Sequence, residues 1–284
     1  MDGGAREPTA GRRTPTALTI AGSDSGGGAG IQADLKAFAR CGVHGMSAIT
    51  AITAQSTVGV SAIHPLPPEI VLAQVREVVA DIGVDAVKVG MLGTVDVTRA
   101  VAQAIGELPA GTPVVVDPVM VAESGARLLE PQAQRALIEE ILPRATVVTP
   151  NVPEARVLAG EPARSADEDA EAEALALAVL ALGPRVVVLT GGHRPSAADL
   201  FVDSARPGSV VSIGGERHPG GTSHGSGCTH SAVLAAQLAL GRSPLQAART
   251  ARELAGAAVG RGLREIGAGP GPVDVIDLGR MRGT

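Results

Sequence analysis

The apolar positions of this chain follow two periods. Short runs rich in β-branched residues, at 17–21, 45–53, 86–89, 113–117, 145–149 and 185–190, carry no helical stripe, and most lead into Gly, Pro or Asn. Such runs predict strands buried on both faces. Between them, over 30–41, 68–81, 94–107, 131–142 and 166–182, apolar residues recur at helical spacing and predict amphipathic helices. A β-rich patch at 199–213 reads as a hairpin, and helices at 227–240 and 244–261 close the chain. Strand-then-helix alternation predicts an α/β fold, a mostly parallel central sheet with helices on both faces and right-handed crossovers. No repeat or linker interrupts the pattern, so residues 17–284 read as one domain. Residues 1–16, polar and carrying Arg12-Arg13, read as a disordered tail.

Ligands of such sheets bind beyond the carboxyl ends of the strands. The loops to inspect are therefore 22–30, 54–57, 90–93, 118–126, 150–154, 191–195 and 220–228.

Composition narrows the function classes. The core must be aliphatic, because Phe38 and Phe201 are the only aromatic residues. A net charge of −5 without a block of like charge argues against nucleic acid or an acidic membrane as the main partner. No apolar stretch is long enough to span a bilayer, and the amino-terminal residues lack the apolar region of a signal peptide. Two distant cysteines, Cys41 and Cys228, read as reduced thiols of a cytoplasmic protein. Only Lys36 and Lys88 are lysines among 24 basic residues, so any role that needs an ammonium has two candidates.

The first loop, "AGSDSGGGAG" at 21–30, fails both common nucleotide motifs. Gly28 stands where a P-loop needs lysine, and Ile31 ends what would be a Rossmann fingerprint. Read alone, it is a flexible connector or a bare surface for a closely approaching ligand.

"SHGSGCTHSA" at 223–232 is chemically more specific. Gly225, Ser226, Gly227 and Cys228 open an apolar helical run, where free N–H groups favour an anion and lower the pKa of a thiol. The alternative is a glycine turn with a buried cysteine. His224, Cys228 and His230 have a metal-like spacing, but no second cluster supports a zinc site. In "NVPE", Asn151 and Glu154 have the spacing of a capping box, and Asp117 after its strand has that of a turn former. Gln55, just past a strand, offers both a donor and an acceptor to a ligand, or is an ordinary loop glutamine.

"AGSDSGGGAGIQADLK" resembles the start of the hydroxymethylpyrimidine/phosphomethylpyrimidine kinases of thiamin biosynthesis. "ITAQST" at 52–57, "KVGML" at 88–92, "VVVDPVM" at 114–120, "TPNVPEA" at 149–155, "GGH" at 191–193, "HGSGCT" at 224–229 and "GPGPV" at 269–273 match in the same order. The resemblance implies a ribokinase-like three-layer sandwich, usually dimeric, that moves the γ-phosphate of ATP to 4-amino-5-hydroxymethyl-2-methylpyrimidine and then to its monophosphate. It implies a catalytic cysteine at Cys228, and a pyrimidine pocket lined by Gly22, Ala29, Asp34, Gln55, Met91 and Val119. It further implies nucleotide contacts at Asn151, Thr190 and Gly192, and Mg²⁺ ordered by Glu154 with Asp117. Two family lysines are replaced here, by Thr190 before "GGH" and by Glu123 after "DPVM". Phosphate charge would then fall to the Gly225–Cys228 amides, Mg²⁺ and an arginine such as Arg194. The related alternatives are a pyridoxal kinase and a non-catalytic pyrimidine sensor.

Overall fold

A computed structural model describes residues 13–122, 125, 128–160, 168–192 and 197–281. Among the described residues nine strands form one sheet, in the order β3-β2-β1-β4-β5-β6-β7-β8-β9. The parallel centre runs through β2 (His44–Ser56), β1 (Thr16–Asp24), β4 (Ala86–Val89), β5 (Val114–Val116), β6 (Val147–Val148) and β7 (Val186–Leu189). Its edges are antiparallel: β3 (Gly59–Pro65) on one side, β8 (Asp199–Asp203) and β9 (Val210–Ile213) on the other.

The strand period of two sorts side chains to two cores. Leu18 and Ile20 of β1 and Val87 and Val89 of β4 face one layer, against α2 (Pro68–Asp81), α3 (Val95–Gly106), α4 (Pro131–Ala136) and α6 (Glu168–Leu180). Ala17, Ala86, Val115 and Val147 face the other, against α1 (Gly30–Arg40), α7 (Ser226–Ala239) and α8 (Pro244–Gly260). Lys88 falls on this second face, and it is fully buried. α7 is apolar nearly all round, with every residue from Thr229 to Ala236 buried, as befits a helix wedged between α1, α8 and the sheet.

Three expectations are corrected. Thr16 already pairs in β1, and Arg13 is fixed to Asp85 at 2.6 Å, so the chain becomes ordered before residue 17. The helix expected over 131–142 ends as α-helix at Ala136 and continues as one wide turn, Leu137–Ile141, and a tight one, Leu142–Arg144. Pro143 explains the end, since it has no N–H to continue the ladder. The strand expected to stop at residue 53 runs on to Ser56 and folds back as β3 through a tight turn.

Candidate active site

The strand-following loops converge on two adjoining cavities. The first, of about 490 Å³, is lined by Gly22, Ala29, Gln55, Met91 and Val119, with Asp117, Glu154 and Cys228 toward one end. The second, of about 430 Å³, is lined by Gly192, Asp199, Arg217, His218, His230 and Arg252. Asn151, Thr190, Ser223, Ser226 and Gly227 border both. The shared wall is thus the start of α7 together with the ends of β6 and β7, where Asn151 and Thr190 form an isolated bridge.

Local sequence explains that wall. Gly225 caps α7 with φ of 81°, a left-handed conformation that favours glycine. No side chain covers the cap; Ser226 N donates to Ser223 O at 2.9 Å, and the N–H groups that follow, of Gly227 and Cys228, are the ones left to meet an anion. Asn151 caps α5 (Val152–Ala159): its side chain accepts from Glu154 N at 2.8 Å, while Glu154 Oε2 accepts from Asn151 N at 2.9 Å. The capping box expected from "NVPE" is present. The Glu154 carboxylate also accepts from the Met120 backbone.

Beneath the junction lies a buried ionic cluster. Lys88 Nζ is 3.0 Å from Asp34 Oδ2 and 3.8 Å from Asp117 Oδ2. Thr19 donates to the same Asp34 oxygen at 2.6 Å, and Ser231 donates to Asp117 Oδ2 at 2.9 Å. Burial opposes the Lys88 charge, but Asp34, Cys228 and Asp117 hold its pKa above the ordinary value. Burial raises Asp34 against the pull of this ammonium.

Two site expectations change here. Asp34 does not line the pocket: it is fully buried, one layer behind the cavity wall, as the counter-ion of Lys88. Cys228 is not a pre-ionised thiol. Burial pushes it up to about 12, and the negative charge of Asp117 and Asp34 offsets the help from Lys88. The helix-start argument weighed the α7 amides alone; Cys228 lines the cavity half-buried, and its desolvation together with the charges of Asp117 and Asp34 outweighs them.

Glu154 is raised to about 8 by burial and by the nearby negative charge of Asp117. Two carboxylates that repel each other at a cavity junction offer the hard oxygen donors that Mg²⁺ takes, and a divalent cation would relieve the repulsion. The residues present therefore fit Mg²⁺.

The remaining predicted residues fall as follows. Gly22 packs against Met91, where an added Cβ would lie 2.9 Å from Sδ. Thr50 Oγ1 donates to Met91 O at 2.7 Å and fixes that end of the pocket. Gln55 Oε1 accepts from Thr53 Oγ1 at 3.2 Å. Glu123 and Arg194 lie outside the described residues. Among the described residues no three His, Cys, Asp or Glu side chains form a metal-binding group. His224 and His230 instead pair with different carboxylates, Asp24 at 3.2 Å and Asp199 at 3.0 Å. Sequence reasoning missed both acids. Asp24 directly after a strand carries the signal of a side chain that caps its own turn; Asp199 carries no local signal at all.

Comparison with known proteins agrees with this geometry. A family model described as phosphomethylpyrimidine kinase matches residues 24–274. The hydroxymethylpyrimidine/phosphomethylpyrimidine kinase of Rhizobium meliloti is 47% identical over 263 residues, covering 92% of this chain and 96% of that protein. Its counterpart in Bacillus subtilis is 44% identical, covering 91% and 93%. Among solved structures, an ADP complex of Bacillus subtilis pyridoxal kinase has a TM-score of 0.83 at 37% identity, covering 94% of this chain and 99% of that one. A phosphomethylpyrimidine kinase from Clostridium difficile has a TM-score of 0.72 at 37% identity, covering 84% and 96%. A match over nearly the whole chain, on the same loops that build the two cavities, places the protein in the phosphomethylpyrimidine kinase family.

Proposed function

We propose that the protein transfers the γ-phosphoryl group of ATP to the hydroxymethyl oxygen of 4-amino-5-hydroxymethyl-2-methylpyrimidine, and in a second reaction to the phosphate of its monophosphate. The observation that carries this reading is the pair of cavities that meet at the uncapped start of α7.

In this reading the pyrimidine lies in the first cavity against Gly22, Ala29, Met91 and Val119. The Gln55 amide matches its amino group and ring nitrogen. ATP occupies the second cavity along Asn151, Thr190 and Gly192, with its phosphates at the Gly225–Cys228 amides. The acceptor oxygen attacks in line, a new P–O bond forms, and the bond to ADP breaks. Charge spread over the equatorial oxygens meets amides already aimed at it. Glu154 and Asp117 would hold Mg²⁺, which would further neutralise phosphate charge. In such a loose transition state the acceptor oxygen needs little deprotonation beforehand. Cys228, still a thiol in the free site, orients that oxygen, and the alcohol proton passes late to an oxygen of the transferred phosphoryl group. We also read the protein as a cytoplasmic homodimer. That reading rests on the family resemblance and on the two free cysteines.

ADP release should be measured with the pyrimidine alcohol, its monophosphate and pyridoxal. The reading expects the alcohol to be the fastest acceptor. The structural likeness to pyridoxal kinase supports the alternative, and fastest turnover of pyridoxal would establish it. No ADP release with any of the three would leave the sensor reading in its place.

A further inference from the structure

The two glycine-rich loops of this site are not independent. The first ends β1 and enters α1; the second opens α7. They are tied through Asp24 and His224. Asp24 is 2% exposed and spends both carboxylate oxygens. Oδ1 accepts from Gly26 N at 2.7 Å. Oδ2 accepts from Gly28 N at 3.0 Å, from Ala29 N at 2.8 Å, and from His224 Nε2 at 3.2 Å. A carboxylate with this many amide partners is ionised and can only accept, so the His224 hydrogen sits on Nε2.

The glycines make the tie tight. A Cβ on Gly28 would overlap the His224 ring, and a Cβ on Gly225 would overlap Gly28 O. The His224 ring therefore sets its Cδ2–Nε2 edge against the first loop, and the residue after it caps α7 against that same loop. The far side is anchored too: His224 O accepts from Val273 N at 3.1 Å.

We propose that Asp24 and His224 are a positioning pair for phosphoryl transfer, fixing the acceptor-side loop and the donor-side amides in one rigid frame. Asp24 sets the loop that borders the acceptor. His224 sets the backbone that delivers Gly225 and the first N–H groups of α7. Neither residue moves a proton in this role. Their product is the distance and angle between acceptor oxygen and phosphorus, the quantity to which an in-line displacement is most sensitive.

This role rests on the kinase reading, and the test separates the two. Asp24→Asn, His224→Leu and His224→Gln should be compared with the parent in steady-state turnover of the pyrimidine alcohol, and by amide hydrogen exchange of the free protein. Asp24→Asn and His224→Leu should each lower kcat by about 10–100-fold, the scale of a misplaced reacting group, while KM for ATP stays within about twofold. The double variant should be no worse than the more damaged single, because both remove one link. His224→Gln, which keeps a donor near the position of Nε2, should recover most of the loss. In exchange, His224→Leu should loosen residues 25–30, and Asp24→Asn should loosen residues 223–228. The proposal is overturned if the losses multiply in the double variant, if kcat is unchanged, or if each substitution loosens only its own loop. Should the parent release no ADP, the kinase reading fails, and the cross-loop exchange pattern still decides whether the clamp exists.

Discussion

Glu154→Gln separates the two jobs of one side chain. Gln can still accept from Asn151 N, so the capping box survives the substitution. What disappears is a charge. Unfolded, Glu154 titrates near 4.5; folded, burial and Asp117 push it to about 8. The folded pKa is the higher one, so the folded state holds the proton more tightly. Stability is full below the unfolded value and is lost as pH rises toward 8. At pH 7 the unfolded chain has released its proton and the folded chain has not. At 1.36 kcal/mol per unit this costs the free protein about 3 kcal/mol. Part of the side chain faces the open cavity, and solvent screening reduces the figure to about 1–3 kcal/mol. Urea midpoints of parent and variant should therefore diverge between pH 5 and pH 9, with the variant the more stable at high pH. Mg²⁺ with a non-hydrolysable ATP analogue should close the gap by binding the parent more tightly. Parallel pH curves for the two proteins would refute the reasoning, because Glu154 would then titrate as an ordinary surface carboxylate.

Other perturbations test other parts of the site. The raised pKa of Cys228 predicts slow alkylation by iodoacetamide at pH 7, still rising above pH 9; rapid labelling at neutral pH would contradict a thiol that holds its proton. Lys88→Met strands the buried carboxylates of Asp34 and Asp117 and should destabilise the fold by about 3–5 kcal/mol; a midpoint within experimental error of the parent would show that the cluster is wetter than its burial. Gln55→Ala should weaken binding of the pyrimidine alcohol by about 1–3 kcal/mol without changing ATP affinity, as titration calorimetry would read; equal affinity would remove Gln55 from the acceptor pocket.

The sequence was most readable where physics is local. The strand 86–89 and the helix 68–81 fall on their expected residues, because each is set by its own apolar period and bounded by its own breakers. The antiparallel return through β3 was not legible: its residues are mostly exposed, so no buried period marks them. The glycine turn that opens α7 at Gly225 was legible from its own motif. The acidity of Cys228 was misjudged because it depends on α1, β4 and β5, which deliver Asp34, Lys88 and Asp117 to one point. Asp34 was misplaced for the same reason. Its helix was correct, but only the three-dimensional register of α1 against β4 shows that it faces Lys88 and not the cavity.

The link between Asp24 and His224 also has a consequence for the order in which the molecule assembles. Its two ends lie 200 residues apart, and His224 is anchored in turn by Val273, close to the carboxyl terminus. Contacts of such separation form late, after their loop entropy has been overcome. During synthesis the first glycine loop emerges early and meets Lys36 and Gln55 soon after, but its tie to His224 waits for the second glycine loop. Competence to bind the acceptor is therefore the last property the folding chain acquires. Truncation before Val273 should leave most of the sheet intact while abolishing ligand-induced stabilisation.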